Sequence, residues 1–212
     1  MARAGLETGD PAPASIVLGT IENTPLALAG AYGAMDDGLA HSPTLVTRID
    51  RPMGGTIWKH STSRGQRVFQ QGTAFLLRDV MADAVRRGTA TRAAVPGVSN
   101  HGKTGSTRSD AWFAGLYDRT VVVVWTGHDD ARPLGLSGGR VAAPIASELG
   151  RMALSYQPLA SGVPASITRR EIDPRTGLRV GVLGEGQPEW FRRQVMPPTR
   201  PLLGGGESEV LR

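Results

Sequence analysis

The residues best suited to chemistry lie in the string from His101 to Thr107, which reads HGKTGST. Lys103 is one of only two lysines in the chain, and a fixed ammonium stabilises negative charge that develops beside it. Gly105 has no Cβ, so a ligand backbone can lie against the chain there, and Ser106 adds a hydroxyl and an N–H. These residue types suit a site that holds an extended ligand and stabilises negative charge, but so short a string needs support from its surroundings.

The same residues also match a nucleotide-binding pattern. Residues 97–104 read GVSNHGKT, which satisfies the P-loop string G-x-x-x-x-G-K-[ST]. A P-loop lies between a buried parallel strand and a helix, whereas a strand-like run, DAWFAGLY, follows here. The context disfavours nucleotide binding, which stays an alternative.

Other polar clusters are weaker candidates. His128, Asp129 and Asp130 have the composition of metal ligands, but neighbouring residues at a strand end point in different directions and no fourth ligand is evident. We interpret them as loop residues and predict no metal site and no cofactor. His101 is not assigned as a base, because a single histidine is more often structural. The role of Arg140 stays open.

The candidate string is the first of three strand-like runs. HGKTGST, DAWFAGLY and TVVVVWTG are separated only by the dipeptides RS and DR. Links this short require antiparallel neighbours, because a parallel crossover needs about a dozen residues. Trp112, Phe113 and Trp125 are most simply packing residues of the resulting sheet.

Helical patterns precede and follow this sheet. One helix is predicted from about Pro25 to Asp36, with Gly38 as its stop, and a second in TAFLLRDVMADAVRRG, ending at Gly88. The second helix has a predicted apolar face of Phe75, Leu76, Val80, Ala84 and Val85. AAPIASELGRMAL predicts a third helix. An antiparallel sheet flanked by helices defines an α+β fold.

Two hairpins and a tail complete the predicted organisation. PTLVTRID and GGTIWKH pair about RPMGG, and REIDPRTGLRV closes about DPRTG. From about Gln157 the sequence is rich in Pro, Gly and Arg and loses the helix and strand periodicity. Its last part, MPPTRPLLGGGESEVLR, predicts a mobile tail. We therefore divide the chain into a domain, residues 1–156, and a partly disordered extension, residues 157–212.

Composition excludes several classes of function. The net charge of +5 is spread thinly and aromatic residues make up only 5%, so nucleic acid is not an expected partner. The longest apolar runs, SIVLG and VVVVW, are too short to span a membrane, and the N-terminus lacks the apolar core of a signal peptide. The absence of cysteine excludes disulfides, zinc–thiolate sites and a cysteine nucleophile.

The surroundings of Lys103 resemble the transpeptidase domain of class A penicillin-binding proteins, in the β-lactamase-like superfamily. A Lys-Thr-Gly followed by a hydroxyl residue is the third signature element of that superfamily. SIVLGTIENTPLALAGAYGAMDDG, QQGTAFLLRDVMADAVRRGTATRA, DAWFAGL and IDPRTGL are similar to other segments of the domain, and WTGHDD and GGRVAAPI favour class A. The continuous resemblance covers residues 15 to about 150.

The resemblance implies a D,D-transpeptidase that cross-links peptidoglycan stem peptides through a seryl acyl-enzyme and is acylated by β-lactams. It assigns Lys103 to the catalytic proton network, and Thr104, Gly105 and Ser106 to substrate binding, with the Ser106 N–H as an oxyanion-hole donor. It implies a location on the outer face of the bacterial cytoplasmic membrane, with membrane attachment only through sequence upstream of this chain.

Two signature motifs of the family are absent. S-x-x-K needs a lysine, but Thr56 stands three residues before Lys59 and Asn100 three residues before Lys103, and no S-x-N occurs. In the family both motifs precede the L-G-T segment. We therefore expect a C-terminal part of the domain that lacks the nucleophile and is inert alone; a non-catalytic cell-wall interaction module is the alternative.

Overall fold

The computed structural model describes residues 2–61, 65–153, 162–181 and 185–199. The chain divides into two compact units, Met1–Gly162 and Val163–Arg212. The predicted domain boundary between residues 156 and 157 lies outside the described residues, as do residues 200–212 of the predicted tail.

The first unit combines helices with antiparallel strands, and this confirms the predicted α+β class. In chain order its elements are α1 (Pro25–Gly33), β1 (Leu39–Ala40), β2 (Arg48–Asp50), β3 (Thr56–Lys59), β4 (Gln66–Arg67), α2 (Gln71–Arg87), β5 (Asn100–Ser106), β6 (Asp110–Tyr117), β7 (Thr120–Gly127) and α3 (Ala142–Ala153). Strands β5, β6 and β7 form an antiparallel sheet in that order, while β1 pairs with β4 and β2 with β3. No helix among the described residues has the length and apolar character needed to cross a membrane.

The main core lies against one face of the three-stranded sheet. Phe113 and Tyr117 of β6 are the largest side chains in it. Helix α3 packs there through three fully buried alanines, Ala142, Ala143 and Ala146. One turn later a Cβ at Gly150 would lie 2.6 Å from the Tyr117 ring, so small residues let α3 approach the sheet closely.

Helix α1 begins as its sequence predicts and ends earlier. The Thr24 side chain accepts a hydrogen bond from Ala27 N at 3.1 Å, and Pro25 occupies the first turn, where no amide donor is needed. The helix ends at Gly33 rather than near Asp36, and turns follow as far as Gly38. Gly38 has φ +86°, and a Cβ there would lie 2.3 Å from Phe69 O.

The buried face of helix α2 agrees with the predicted one only at Val85. Val80 is exposed, whereas the buried positions are Gly72, Ala74, Arg78, Ala82 and Val85. Small residues on this face allow close packing, and the Arg78 guanidinium reaches Met35 O at 2.8 Å and also donates to Asp36 O. The prediction placed large apolar side chains on the buried face of α2. The backbone carbonyls of the turn after α1 need a hydrogen-bond donor, however, and Arg78 on that face supplies it.

Among the described residues of the second unit, β8 (Ile167–Ile172) and β9 (Gln187–Arg192) form an antiparallel pair. Arg169 stacks over its cross-strand neighbour Trp190, with the guanidinium carbon 5.6 Å from the ring centroid. The DPRTG segment forms a turn in which Asp173 N donates to Leu178 O at 2.9 Å, as the hairpin prediction requires.

Candidate functional site

Strand β5 carries the whole Lys-Thr-Gly-Ser string. Among the residues that the structure describes, it is an edge strand of the three-stranded sheet. It pairs with β6 in a regular register that sets Lys103 opposite Ala114 and Gly105 opposite Trp112. The string therefore forms the second half of a strand, up to its last residue. The nucleotide-binding pattern would require the same residues at a strand-to-helix turn.

One face of β5 is turned toward the core. Thr104 is buried, and its hydroxyl lies 2.7 Å from the Thr89 hydroxyl just after α2. Gly102, on the same face, pairs with Gly115, and a Cβ at either glycine would lie less than 3 Å from the Phe113 ring. The ring therefore occupies the space that two glycines leave open, which holds β5 and β6 in one arrangement.

The hydrogen bonds at the two ends of the β5–β6 pair define which backbone groups face outward. Thr107 N donates to Asp110 O at 2.9 Å beyond one end, and Asp118 N donates to Ser99 O at 2.9 Å beyond the other. Hydrogen-bonded pairs alternate along an antiparallel ladder. Both ends therefore indicate that the odd-numbered residues of β5 bond to β6.

The even-numbered residues of β5 then point their N–H and C=O groups toward the outer edge. Within Lys103–Ser106, the two such residues are Thr104 and Ser106. The exposed Lys103 side chain curls to this edge, because its Nζ donates to Thr104 O at 2.7 Å. An ammonium and outward backbone amides thus lie along the same few residues.

A loop that the sequence did not connect to the site crosses the end of β5. Gly138 N donates to the Ser106 hydroxyl at 2.9 Å. A Cβ at Gly138 would lie 2.4 Å from Gly105 O and 2.3 Å from Trp112 O, so only glycine fits at this crossing. The Gly138–Gly139 pair, directly before the unassigned Arg140, is the sequence signal that marks this contact.

His101 fastens the beginning of β5 to α2. Its Nδ1 lies 2.8 Å from Arg78 O, and its Nε2 lies 2.8 Å from the Ser99 hydroxyl. A carbonyl only accepts, so Nδ1 carries the proton and Nε2 accepts from Ser99. Burial lowers the pKa of His101, which favours this neutral form. These bonds give His101 a positioning role in the strand, in line with its not being assigned as a base.

The guanidinium group of Arg78, on α2, is buried beside acidic residues at the end of α1. Burial lowers the pKa of Arg78, and the nearby carboxylates of Asp36 and Asp37 oppose that shift. Arg119 in the β6–β7 turn also bonds to Asp36, with Nε 2.9 Å from Oδ2. Arg78 Nη1 lies 3.9 Å from the other oxygen of the same carboxylate, Oδ1, so the two arginines on Asp36 link α2 and the β6–β7 turn to the end of α1.

Beside the first residues of β5 lies an open groove of about 400 Å³, between the end of α2 and the segment that follows it. His101, Asn100 and Val95 line it, whereas Lys103 does not. Asn100 Oδ1 accepts from Val95 N at 2.7 Å, so this residue shapes the loop.

The remaining polar candidates are not brought together. Arg132 Nη2 lies 3.2 Å from His128 Nδ1, and the backbone N–H of Arg132 donates to Asp130 Oδ1, so these residues bond within their own loop. No group of three or more potential metal ligands occurs within residues 2–61, 65–153, 162–181 and 185–199.

Comparison with known proteins gives one consistent family. The family model "Penicillin binding protein transpeptidase domain" matches residues 6–150. Penicillin-binding protein 1A of Aquifex aeolicus is 35% identical over 136 residues, which is 62% of this chain and 19% of that protein. The chain therefore spans about a fifth of the length of this curated relative.

Solved structures agree with the sequence match. The crystal structure of penicillin-binding protein 1A from Haemophilus influenzae shares the fold with a TM-score of 0.81 and 22% identity, over 95% of this chain and 37% of that one. Penicillin-binding protein A from Mycobacterium tuberculosis, solved as an imipenem acyl-enzyme complex, has a TM-score of 0.56 and 26% identity, over 69% and 37%. Since the family model matches more than half of its residues, the chain belongs to the penicillin-binding protein transpeptidase domain family, in its class A branch.

Proposed function

We propose that the outer edge of β5 is the substrate-binding edge of a D,D-transpeptidase site. The observation that carries this proposal is the distance of 2.7 Å between Lys103 Nζ and Thr104 O, on the edge to which the Ser106 N–H also points. A cation and an amide donor on one edge can hold a carboxylate or stabilise a carbonyl oxygen on which negative charge develops. Lys103 is the catalytic cation in this proposal.

Thr104, Gly105 and Ser106 are the proposed substrate-binding residues, and their contribution is mainly through the backbone. The Thr104 and Ser106 hydroxyls already bond to Thr89 and Gly138, whereas their amides point outward. At Gly105 a Cβ would press on the Trp112 Cβ at 3.3 Å, so the absence of a side chain also keeps this surface flat for an extended peptide.

The proposed reaction is acyl transfer on peptidoglycan stem peptides. A serine attacks the carbonyl carbon of the terminal peptide bond, forms an ester and releases D-alanine; an amine of a second peptide then attacks the ester and frees the serine. Lys103 and the Ser106 N–H stabilise the oxygen that becomes negative in both steps. β-Lactams acylate the same serine, and the imipenem complex of the Mycobacterium tuberculosis relative supports this expectation.

The serine itself is absent from this chain, since no S-x-x-K occurs in it. We therefore propose that residues 1–156 form part of a transpeptidase domain, that residues 157–212 are an extension, and that the 212-residue chain is inert alone. The family assigns the complete protein to the outer face of the cytoplasmic membrane, and we propose that location for it.

The test is covalent labelling by fluorescent penicillin. The 212-residue chain should not be labelled. A protein extended in frame through the genomic sequence before Met1 should contain S-x-x-K and be labelled, and Lys103→Ala should lower its acylation rate by about 100-fold or more. Arg92→Ala removes an exposed cation elsewhere and should leave the rate unchanged.

Three results would contradict the proposal. Stable labelling of the short chain would show a nucleophile within it. The lack of an upstream S-x-x-K would favour the non-catalytic cell-wall module. Tight binding of ATP or GTP that is lost in Lys103→Ala would favour the nucleotide-binding alternative.

A further inference from the structure

The direction of the Ser106 N–H depends on the peptide group that joins Gly105 to Ser106. This group is planar and trans, so its C=O and N–H bonds point in opposite directions. Gly105 stands opposite Trp112 in the register and bonds to β6, which leaves the Ser106 N–H at the outer edge. Whatever holds Gly105 O and the Ser106 side chain in place therefore also fixes the direction of this amide.

Gly138 contacts this peptide group from both sides of the Ser106 amide. Its own N–H donates to the Ser106 hydroxyl at 2.9 Å. Its backbone lies so close to β5 that an added Cβ would be 2.4 Å from Gly105 O. The same Cβ would be 2.3 Å from Trp112 O, so Gly138 packs over the paired residues of both strands. Gly138 is buried in this position.

Gly138 is itself held by two other parts of the fold. Ala143 N, in the first turn of α3, donates to Gly138 O at 2.8 Å, and Ala143 is fully buried in the main core. The next residue, Gly139, packs on the segment after α2, because a Cβ there would lie 2.4 Å from Thr89 O. The crossing at Gly138 is therefore fixed to α3 on one side and to the end of α2 on the other.

We propose that Gly138 is a positioning residue of the acyl-transfer site. It holds the Gly105–Ser106 peptide so that the Ser106 N–H points at the oxygen on which negative charge develops, and this role rests on the proposed function of β5. A donor that is already oriented stabilises the charge without having to turn during the reaction. Gly138 touches no reacting atom; it acts through Gly105 O and the Ser106 hydroxyl.

The test is the rate constant for acylation by fluorescent penicillin in the protein extended through the genomic sequence before Met1. In Gly138→Ala the new Cβ and Gly105 O must separate by at least 1.0 Å (3.4 minus 2.4). A misplacement of about 1 Å can cost about 100-fold in rate, so a fall of about 10- to 100-fold is expected. The penicillin concentration that gives half the maximal rate should not change, because the oxyanion contact acts only in the transition state.

Gly150→Ala is the matched control for a loss of stability. A Cβ at Gly150 on α3 would lie 2.6 Å from the Tyr117 ring, so this variant also carries a steric clash. It should unfold at a lower urea concentration than the parent but be acylated with the same rate constant. The fraction of molecules labelled at completion measures the folded population in both variants, which separates misfolding from slower acylation.

Ser106→Ala tests the same contact without added bulk. It removes the acceptor of the Gly138 N–H and keeps the backbone amide at position 106. Acylation should slow by about 2- to 10-fold, the equivalent of one hydrogen bond, and Ser106→Thr, which keeps the hydroxyl, should retain the parent rate. In the 212-residue chain, Ser106→Ala should also speed the hydrogen exchange of the Gly138 amide, because that amide loses its acceptor.

The inference is overturned if Gly138→Ala is acylated as fast as the parent, or if Gly150→Ala slows as much. It is also overturned if the substitutions change only the half-maximal penicillin concentration, or if the Gly138 amide exchanges equally fast in the parent chain and in Ser106→Ala. If the extended parent is not labelled at all, the proposed function fails. An unchanged rate in Gly138→Ala beside a labelled parent contradicts the positioning role alone.

Discussion

Replacing Gly102 by alanine is expected to destabilise the strand that carries Lys103. Gly102 pairs with Gly115, and the ring of Phe113 lies over both. A Cβ at Gly102 would lie 2.4 Å from Phe113 Cζ, whereas an ordinary contact begins at 3.4 Å, so the two atoms must separate by at least 1.0 Å (3.4 minus 2.4). Phe113 is 1% exposed and has little room to move.

The magnitude follows from two opposing effects. Overpacking a close-packed core costs about 1–3 kcal/mol. Alanine in a strand loses less backbone entropy on folding than glycine, and this difference stabilises the folded variant by about 0.5–1 kcal/mol. The second backbone contact, at 3.1 Å from Ala114 O, prevents the strand from simply shifting sideways. The difference between the two effects is about 0–2.5 kcal/mol, and the close approach to a ring with so little room favours its upper part, so a net loss of about 1–2 kcal/mol in the free energy of unfolding is expected.

Urea unfolding of the full chain, followed by tryptophan fluorescence, measures this difference. Gly30→Ala is the matched control, because a Cβ at Gly30 in α1 meets nothing within 4 Å. It should raise the free energy of unfolding by about 0.5–1 kcal/mol. In a double-mutant cycle, Phe113→Leu should make Gly102→Ala less costly, because the smaller side chain leaves room for the Cβ.

The reasoning is refuted if Gly102→Ala unfolds at the same urea concentration as the parent chain. It is also refuted if the cycle shows no coupling between positions 102 and 113. Either result would mean that the Phe113 ring does not occupy the space above Gly102.

Two other substitutions test contacts behind and beside the site. Tyr117→Phe should lower the free energy of unfolding by about 1–3 kcal/mol, because the Tyr117 hydroxyl donates to Ala93 O at 2.9 Å and the buried carbonyl would lose this donor. Thermal unfolding measures the loss, and an unchanged midpoint would contradict the prediction. Burial lowers the pKa of His101, so the unfolded chain binds the proton more readily and the folded chain should lose stability as pH falls below about 6.5. The difference in unfolding free energy between the parent and His101→Gln, measured between pH 8 and pH 5 (about one and a half units either side of 6.5), should shift against the parent on acidification, and a pH-independent difference would contradict this.

Local sequence signals were sufficient to predict the strands and their pairing where neighbouring strands follow each other directly in the chain. The runs DAWFAGLY and TVVVVWTG match β6 and β7 residue for residue, because two-residue links leave antiparallel pairing as the only geometry. Thr24 and Pro25 likewise predict the start of α1, since a helix start depends on local donors and acceptors.

Helix faces were harder to predict because burial depends on partners distant in the sequence. The pattern of α2 placed Val80 inside and gave no sign that Arg78 would be buried. Arg78 is buried because the carbonyls of Met35 and Asp36, some forty residues earlier, need a donor. Gly88 follows the last helical residue, as predicted, but only the structure shows that its backbone is extended and that a Cβ there would lie 2.9 Å from Ala84 Cα.

The sequence alone determined the family, the strand that carries Lys103 and the absence of the S-x-x-K serine, because each depends on which residues occur and in what order. Only the tertiary structure decided how that strand presents its groups. The alternation of hydrogen bonds with β6 turns the Ser106 amide outward, while Thr89 and Gly138 engage the two hydroxyls of the string. Those partners come from segments that fold onto β5 from a distance, so no local pattern could reveal them.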